Sequence, residues 1–216
     1  MEFIANAWHF IAHLDQVLGV WLRDYGSWVY GILFGIVFCE TGLVVAPFLP
    51  GDSLLFAAGA LWASAERNIA ALCLTLIGAA FCGDNCNYWI GRRFGRRIQR
   101  WDKSRWINRE GLERTEAFYR RHGGKMVVLA RFVPVVRTFS PFVAGVGAMP
   151  YLRFLAFSVG GAAFWVVLLV SAGYWFGNIP LVRQNFSLAI LAVVVVSVLP
   201  LGIEVVRARL SRDAPR

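Results

Sequence analysis

Apolar positions along the chain fall into a short series of blocks, and the spacing within each block predicts its element. Over residues 3–25, Ile4, Trp8, Ile11, Leu14, Leu18, Trp21 and Tyr25 line one helical stripe, with Glu2, Asn6, His9, His13 and Gln16 opposite. This pattern predicts an amphipathic helix lying in a membrane interface, within an N-terminal segment 1–28. Residues 29–65 are apolar but interrupted in the middle by Pro47, Pro50 and Gly51. Proline lacks a backbone donor and clashes with the preceding turn, so a single spanning helix of about 20 residues fits this run poorly. A helix–turn–helix hairpin that enters and leaves on one side fits better. Such broken backbone is stable at membrane depth only where protein or water surrounds it.

Residues 69–90 predict a membrane span whose one charge is Asp84. A basic stretch follows at 92–125, with Trp101, Trp106, Leu112, Phe118 and Tyr119 set among its arginines, a composition suited to an interfacial segment on anionic lipid. Residues 126–149 are again apolar and again broken, here by Pro134 and Pro141. Residues 152–178 and 186–206 predict two ordinary spans, the last with a kink at Pro200.

The order is therefore amphipathic segment, broken hairpin and span, then the same three again, then one extra span. With one span between them, the two hairpins must enter from opposite faces. The predicted class is an all-α integral membrane protein. It is an inverted repeat with two opposed re-entrant helical hairpins plus transmembrane helices, forming one membrane domain over residues 1–216.

Composition and charge sharpen this picture. Of the 216 residues, 58% are hydrophobic, above the usual 45–50% of soluble domains. The net charge of +9 is concentrated. Residues 92–125 carry twelve Lys/Arg against four Asp/Glu, and residues 207–216 carry four Arg against one Asp. Basic blocks between apolar segments mark cytoplasmic loops and do not suggest a nucleic-acid partner. With 92–125 cytoplasmic, hairpins at both broken segments bring the basic C-terminus to the cytoplasmic side, as the charge rule requires. Two full crossings would put the basic segments on opposite sides. The N-terminus lacks a basic n-region and an A-x-A site, so no cleavable signal peptide is expected.

Cys39, Cys73, Cys82 and Cys86 form no CxxC pair and read as small buried hydrophobes. His9 and His13 have metal-ligand spacing but no third ligand nearby, so no metal and no cofactor are expected. The nine tryptophans are expected mostly at the membrane interfaces.

The candidate chemistry lies in Glu40, Asp52, Arg131 and Arg137, the only ionisable residues expected at depth in the two broken segments. A charge there costs at least about 2.5–3.5 kcal/mol. Two acids in one repeat and two guanidiniums in the other suggest mutual pairing near the midplane. A plain salt-bridge lock between the hairpins is the structural reading. The functional one is that arginine forks bind phosphate while the acids take a proton or hold the arginines until phosphate displaces them. Asp84, with Asn85 and Asn87 beside it near the cytoplasmic end of the span predicted at 69–90, is a secondary candidate for transport, for capping or for interhelix hydrogen bonding.

The runs Phe38-Cys39-Glu40, Pro47-Phe48-Leu49-Pro50-Gly51-Asp52-Ser53 and Ala58-Gly59 resemble the first motif of the DedA membrane protein family. The run from Ala130 through Arg131, Phe132, Val133, Pro134, Val135, Val136 and Arg137 to Thr138, with Pro141, Ala144-Gly145 and Met149 beyond it, resembles the second. Gly83-Asp84, Tyr88-Trp89-Ile90-Gly91-Arg92 and Phe94-Gly95 resemble a third stretch.

The resemblance implies a multi-pass protein of the bacterial inner membrane, with Glu40, Asp52, Arg131 and Arg137 as functional positions. It also implies transport of undecaprenyl phosphate, the carrier lipid of wall synthesis, with polyprenyl phosphate, anionic lipids and protons as partners. Self-association into a homo-oligomer is left open. The competing readings are a proton-coupled transporter of a small solute or cation and, in a different class, a membrane phosphatase. The phosphatase is disfavoured because no Arg-Ser follows Pro50-Gly51-Asp52-Ser53, so no enzymatic activity is expected.

Overall fold

The structure is a computed structural model that describes residues 14–42, 51–100, 127, 128, 131, 134–177, 179 and 192. Pro47 and Pro50, most of the N-terminal amphipathic stripe, residues 101–126 and nearly all of the last predicted span lie outside the described residues.

Six helices order the described residues: α1 (Leu14–Asp24), α2 (Trp28–Gly42), α3 (Gly51–Ser64), α4 (Ile69–Arg100), α5 (Pro134–Val146) and α6 (Tyr151–Phe176). No strand occurs among them. Two stretches are long and apolar enough to cross a membrane, Ile69–Gly95 within α4 and Tyr151–Phe176. At 1.5 Å per residue each is roughly 40 Å long, more than the ~30 Å hydrocarbon core.

Two sequence-based expectations need correction. The span expected to end at residue 90 is the first part of a helix that runs on to Arg100, so residues 91–100 continue the same helix. Arginine is a good helix former, and Gly91 and Gly95 in that extension pack closely on α5. Pro141 was expected to break its segment but lies inside α5. Its ring deprives the Arg137 carbonyl of an i→i+4 donor, yet the turns on either side continue the helix. Pro134, by contrast, is the first residue of α5, where a missing N–H costs nothing.

The α3–α4 and α5–α6 connections share one turn geometry. Glu66 and Ala148, 82 residues apart, are the two non-glycine residues with positive φ among the described residues, at 50° and 51°. In the first turn the Arg67 N–H donates to the Trp62 carbonyl (3.2 Å) and the Ala65 N–H to Leu61 (2.9 Å). In the second, Met149 donates to Ala144 (3.0 Å) and Gly147 to Val143 (2.8 Å), each the same 82 residues on. These left-handed turns close the orphan carbonyls at a helix C-terminus and reverse the chain into the next helix. Starts differ. The Asn68 carboxamide oxygen caps α4 by accepting from the Ala70 and Ala71 N–H groups (2.9 and 3.2 Å), whereas Pro150 precedes α6 with no side-chain cap.

The spans α4 and α6 are antiparallel. Asp84 meets Ser158, Tyr88 stacks on Phe154 with centroids 4.4 Å apart, and Trp89 contacts Tyr151 at 5.5 Å, so partner numbers fall along α6 as they rise along α4. Each short helix runs parallel to the span of the other unit. Along α3 and α6, Asp52 meets Trp165 and Ala60 meets Gly177. Along α4 and α5, Asn87 meets Thr138, Gly91 meets Phe142 and Gly95 meets Val146.

Glycine makes both of these crossings possible. A Cβ on Gly59 would strike the Val170 carbonyl oxygen, and one on Gly173 the Phe56 carbonyl oxygen. In the other crossing a Cβ on Gly91 would strike the carbonyl oxygen of Phe142, and one on Gly145 that of Tyr88. Close backbone approach between small residues is how helices associate where lipid offers no hydrophobic driving force. The apolar core fills the α1–α2–α3–α4–α6 side with Leu33, Leu54, Trp62, Leu72 and Val166, all fully or almost fully buried. Trp62 donates its indole N–H to the Tyr30 hydroxyl (3.0 Å), so the largest core side chain leaves no buried donor unsatisfied.

Candidate functional site

Where α2 ends and α3 and α5 begin, the fold gathers charge into its interior. Glu40 sits in the last turn of α2. Gly83 on α4 brings that turn close, since a Cβ there would strike the Thr41 hydroxyl, and a Cβ on Gly42 would lie 3.1 Å from the Gly83 Cα. Gly51 opens α3 directly against the Glu40 carboxylate. A side chain at position 51 would occupy the space of that carboxylate, so only glycine allows this contact. A carboxylate at a helix N-terminus is favoured by the free N–H groups there. Asp52 is the next residue and faces the same centre.

Arg137, in the first turn of α5, joins them. Its guanidinium pairs with Glu40 through Nη2 and with Asp52 through Nη1, forming a bridge between both arms of the first broken segment. The Trp165 ring of α6 lies against this guanidinium, 4.5 Å from ring centroid to Cζ. The same indole donates its N–H to Asp52 Oδ1 (2.9 Å).

Arg131 does not join that bridge. It pairs with Asp84 of α4 and donates through Nη2 to the Ser158 carbonyl (3.2 Å) and, more weakly, to the Ser158 hydroxyl (3.4 Å). Ser158 in turn donates its hydroxyl to Asp84 Oδ2 (2.5 Å). The two acids and two arginines expected to pair with one another thus divide into two groups: Arg137 takes both Glu40 and Asp52, and Arg131 takes Asp84. The secondary candidate is in the centre of α4 and not near its end, because α4 is ten residues longer than expected.

Glu40 and Asp84 are 1% and 2% exposed, and Arg131 and Arg137 each 5%. With the partly exposed Asp52, three carboxylates face these two guanidiniums. Unpaired, any of these charges would cost several kcal/mol. Even in their pairs, several polar atoms lack a hydrogen-bond partner among the described residues: Glu40 Oε2, Nε and Nη1 of Arg131, and Nε of Arg137. No cluster of metal-ligating side chains occurs among the described residues.

Asn87 ties the surrounding helices together. Its carboxamide N–H groups donate to the Thr41 carbonyl of α2 (3.2 Å) and the Thr138 carbonyl of α5 (2.6 Å), fixing the helix ends that carry Glu40 and Arg137. Asn85 accepts from the Tyr151 hydroxyl (2.7 Å). Farther along α4, Tyr88 donates to the Met149 carbonyl (2.6 Å), and Arg92 donates to both Tyr88 and Met149 (2.8 and 3.2 Å), which fastens the α5–α6 turn.

Sequence reasoning missed Ser158 and Trp165. Ser158 carried a signal, as a polar residue amid an apolar span. Trp165 carried a weaker one: its mid-span position is unusual for a residue that normally anchors at interfaces.

A family model described as the VTT domain matches residues 49–175, from just before Asp52 to the end of α6. Protein DedA of Escherichia coli (strain K12) is 51% identical over 210 residues, covering 96% of this chain and 95% of that protein. An uncharacterized membrane protein of Mycobacterium tuberculosis (strain ATCC 25618 / H37Rv) is 41% identical, with 91% and 88% covered. Inner membrane protein YghB of Escherichia coli (strain K12) is 32% identical, with 79% and 82% covered. No solved structure matches the chain.

Proposed function

The chain belongs to the VTT-domain family of membrane proteins that includes DedA, and from that premise we propose that it is a lipid transporter which moves a polyprenyl phosphate, undecaprenyl phosphate in particular, across the inner membrane. The observation that carries this reading is the pair of buried arginines, each held by carboxylate and each with guanidinium N–H groups that have no partner among the described residues. A phosphate in hydrocarbon without its water shell is prohibitively unstable. Arginine stays charged when desolvated and offers a planar fork that matches phosphate oxygens. The carboxylates balance the arginines while the site is empty and are exchanged for phosphate when it arrives. The headgroup crosses through this polar interior while the prenyl tail remains in lipid. The reading requires no enzymatic step.

The same reading takes the fold as an inverted repeat with two opposed re-entrant hairpins, one ending in α3 and the other in α5. The 82-residue spacing of the two left-handed turns and the antiparallel α4 and α6 support it. With the basic residues after α4 on the cytoplasmic side, the Glu66 turn faces out, the Ala148 turn faces in, and the C-terminus is cytoplasmic.

A proton-coupled small-solute or cation transporter is the second reading. It is favoured by the excess of one carboxylate over guanidiniums in the described cluster and by Glu40 Oε2, which has no partner among the described residues; both leave room for a proton there. Purified protein in liposomes separates the two. Labelled undecaprenyl phosphate is expected to cross at a rate that depends on the protein and on an imposed pH gradient. No protein-dependent movement, together with proton-driven uptake of a water-soluble solute, would replace the first reading with the second.

A further inference from the structure

Ser158, Gly161 and Trp165 lie at positions i, i+3 and i+7 on α6 and so form one stripe along a single helix face. Each touches one of the two buried arginines. Ser158 accepts from Arg131 through its carbonyl and hydroxyl. Gly161 leaves room for the Arg131 side chain, since a Cβ there would lie 2.9 Å from Nε and 3.0 Å from Cδ. Trp165 stacks on Arg137 and binds Asp52. The two arginines come from one segment of chain, six residues apart, yet they meet α6 two turns apart, roughly 10 Å along its axis.

Resting on the phosphate reading above, we propose that this stripe sorts the arginines into two successive stations for a phosphate-monoester headgroup, one at Arg131 set by Ser158 and one at Arg137 set by Trp165. The headgroup passes from one to the other along α6. Both guanidiniums are almost fully buried, and both retain N–H groups without a partner among the described residues, Nε and Nη1 on Arg131 and Nε on Arg137. Each station therefore has donors that can engage an arriving phosphate oxygen before phosphate displaces the carboxylate.

The stations also differ in charge. Arg131 with Asp84 is neutral, and Arg137 with Glu40 and Asp52 carries one net negative charge when both acids are ionised. An anion is held more readily at the first, so occupancy of the second favours a protonated acid there. Ser158 and Trp165 are positioning residues in this scheme. They act by fixing where each guanidinium and its acid point. The Ser158 hydroxyl bridges Arg131 and Asp84 from one side, and the Trp165 indole covers the Arg137 face while its N–H holds Asp52.

The test uses the full chain in detergent micelles with nitrogen-15-labelled arginine, and geranyl phosphate as the probe. Arg131→Lys and Arg137→Lys assign the two buried Nε–H signals. In wild-type protein both signals should shift on titration. In Ser158→Ala the half-saturating concentration at Arg131 should rise about tenfold and that at Arg137 stay within twofold. Trp165→Leu should reverse the pattern, and Ser158→Thr, which keeps the hydroxyl, should restore the Arg131 response. Loss of the aromatic ring should also move the Arg137 signal before any probe is added.

Parallel weakening of both signals in either variant would mean a single site and overturn the two stations, as would wild-type titrations in both. A wild-type protein in which neither arginine responds to geranyl phosphate would instead sink the phosphate reading itself. Circular dichroism and unfolding temperature establish that each variant compared is folded. Should Trp165→Leu fail to fold, Trp165→Phe keeps the stack, loses the N–H to Asp52, and should weaken the Arg137 response alone.

Discussion

Removing one negative charge should have very different consequences at Asp84 and at Glu40, although both are fully interior carboxylates paired to arginine. At Asp84→Asn the Arg131 guanidinium loses its only carboxylate partner among the described residues and keeps two contacts to Ser158. Leaving a buried charge without its counter-ion costs about 3–5 kcal/mol. The asparagine oxygen still accepts a hydrogen bond, so the low end applies, about 3 kcal/mol. At Glu40→Gln the Arg137 guanidinium retains Asp52 as counter-ion and the Trp165 face, and the glutamine oxygen still accepts, so the loss should be about 1 kcal/mol, the net worth of a typical hydrogen bond. The double variant Asp84→Asn with Arg131→Gln removes both charges and should return to within about 1 kcal/mol of wild type, because a neutral pair of similar shape leaves nothing uncompensated. Reversible unfolding in mixed detergent micelles measures all three. Equal losses at Asp84 and Glu40, or a double variant no more stable than Asp84→Asn, would refute the division of the charges into a one-acid and a two-acid group.

Replacing Arg137 by lysine should lower lipid transport at least tenfold with the protein still folded, since one ammonium cannot engage Glu40 and Asp52 as a fork does; liposome flipping beside thermal melting checks it, and wild-type flipping would contradict it. Gly173→Ala should destabilise the fold by about 1–3 kcal/mol because its Cβ meets the Phe56 carbonyl oxygen, an atom of a helix backbone that cannot move aside. Gly31→Ala, where no atom lies within 4 Å, should be neutral or slightly stabilising in the same unfolding assay. Single cysteines at Glu66 and Ala148 in a cysteine-free background should label from opposite faces of the membrane in intact cells, and labelling of both from outside would exclude the inverted arrangement.

Much of the architecture was written in residue spacing. The broken apolar runs, the span at Ile69 and the span at Tyr151 follow from periodicity and from proline chemistry, and the buried charges stand out because lipid tolerates so few. Partner choice was not legible. Which acid meets which arginine depends on how far α2 approaches α4, and that is decided by small contacts such as Gly83 against Thr41. Asp84 read as a residue near a helix end because the following arginines resembled a loop; they instead prolong α4 and leave Asp84 central. Pro141 read as a break because proline is judged by its own missing N–H, whereas the helix persists through its neighbours. Trp165 was hidden by its residue type, which usually sits at an interface.

The exchanged packing of the two units bears on how the chain assembles. α3 is completed by the span α6, and α5 by the span α4, with glycines cut to fit on both sides of each crossing. Neither half of the chain contains the partner its own short helix needs. Cutting the gene between α4 and α5 turns this into a complementation test: the fragments made together should reassemble, and each made alone should be degraded.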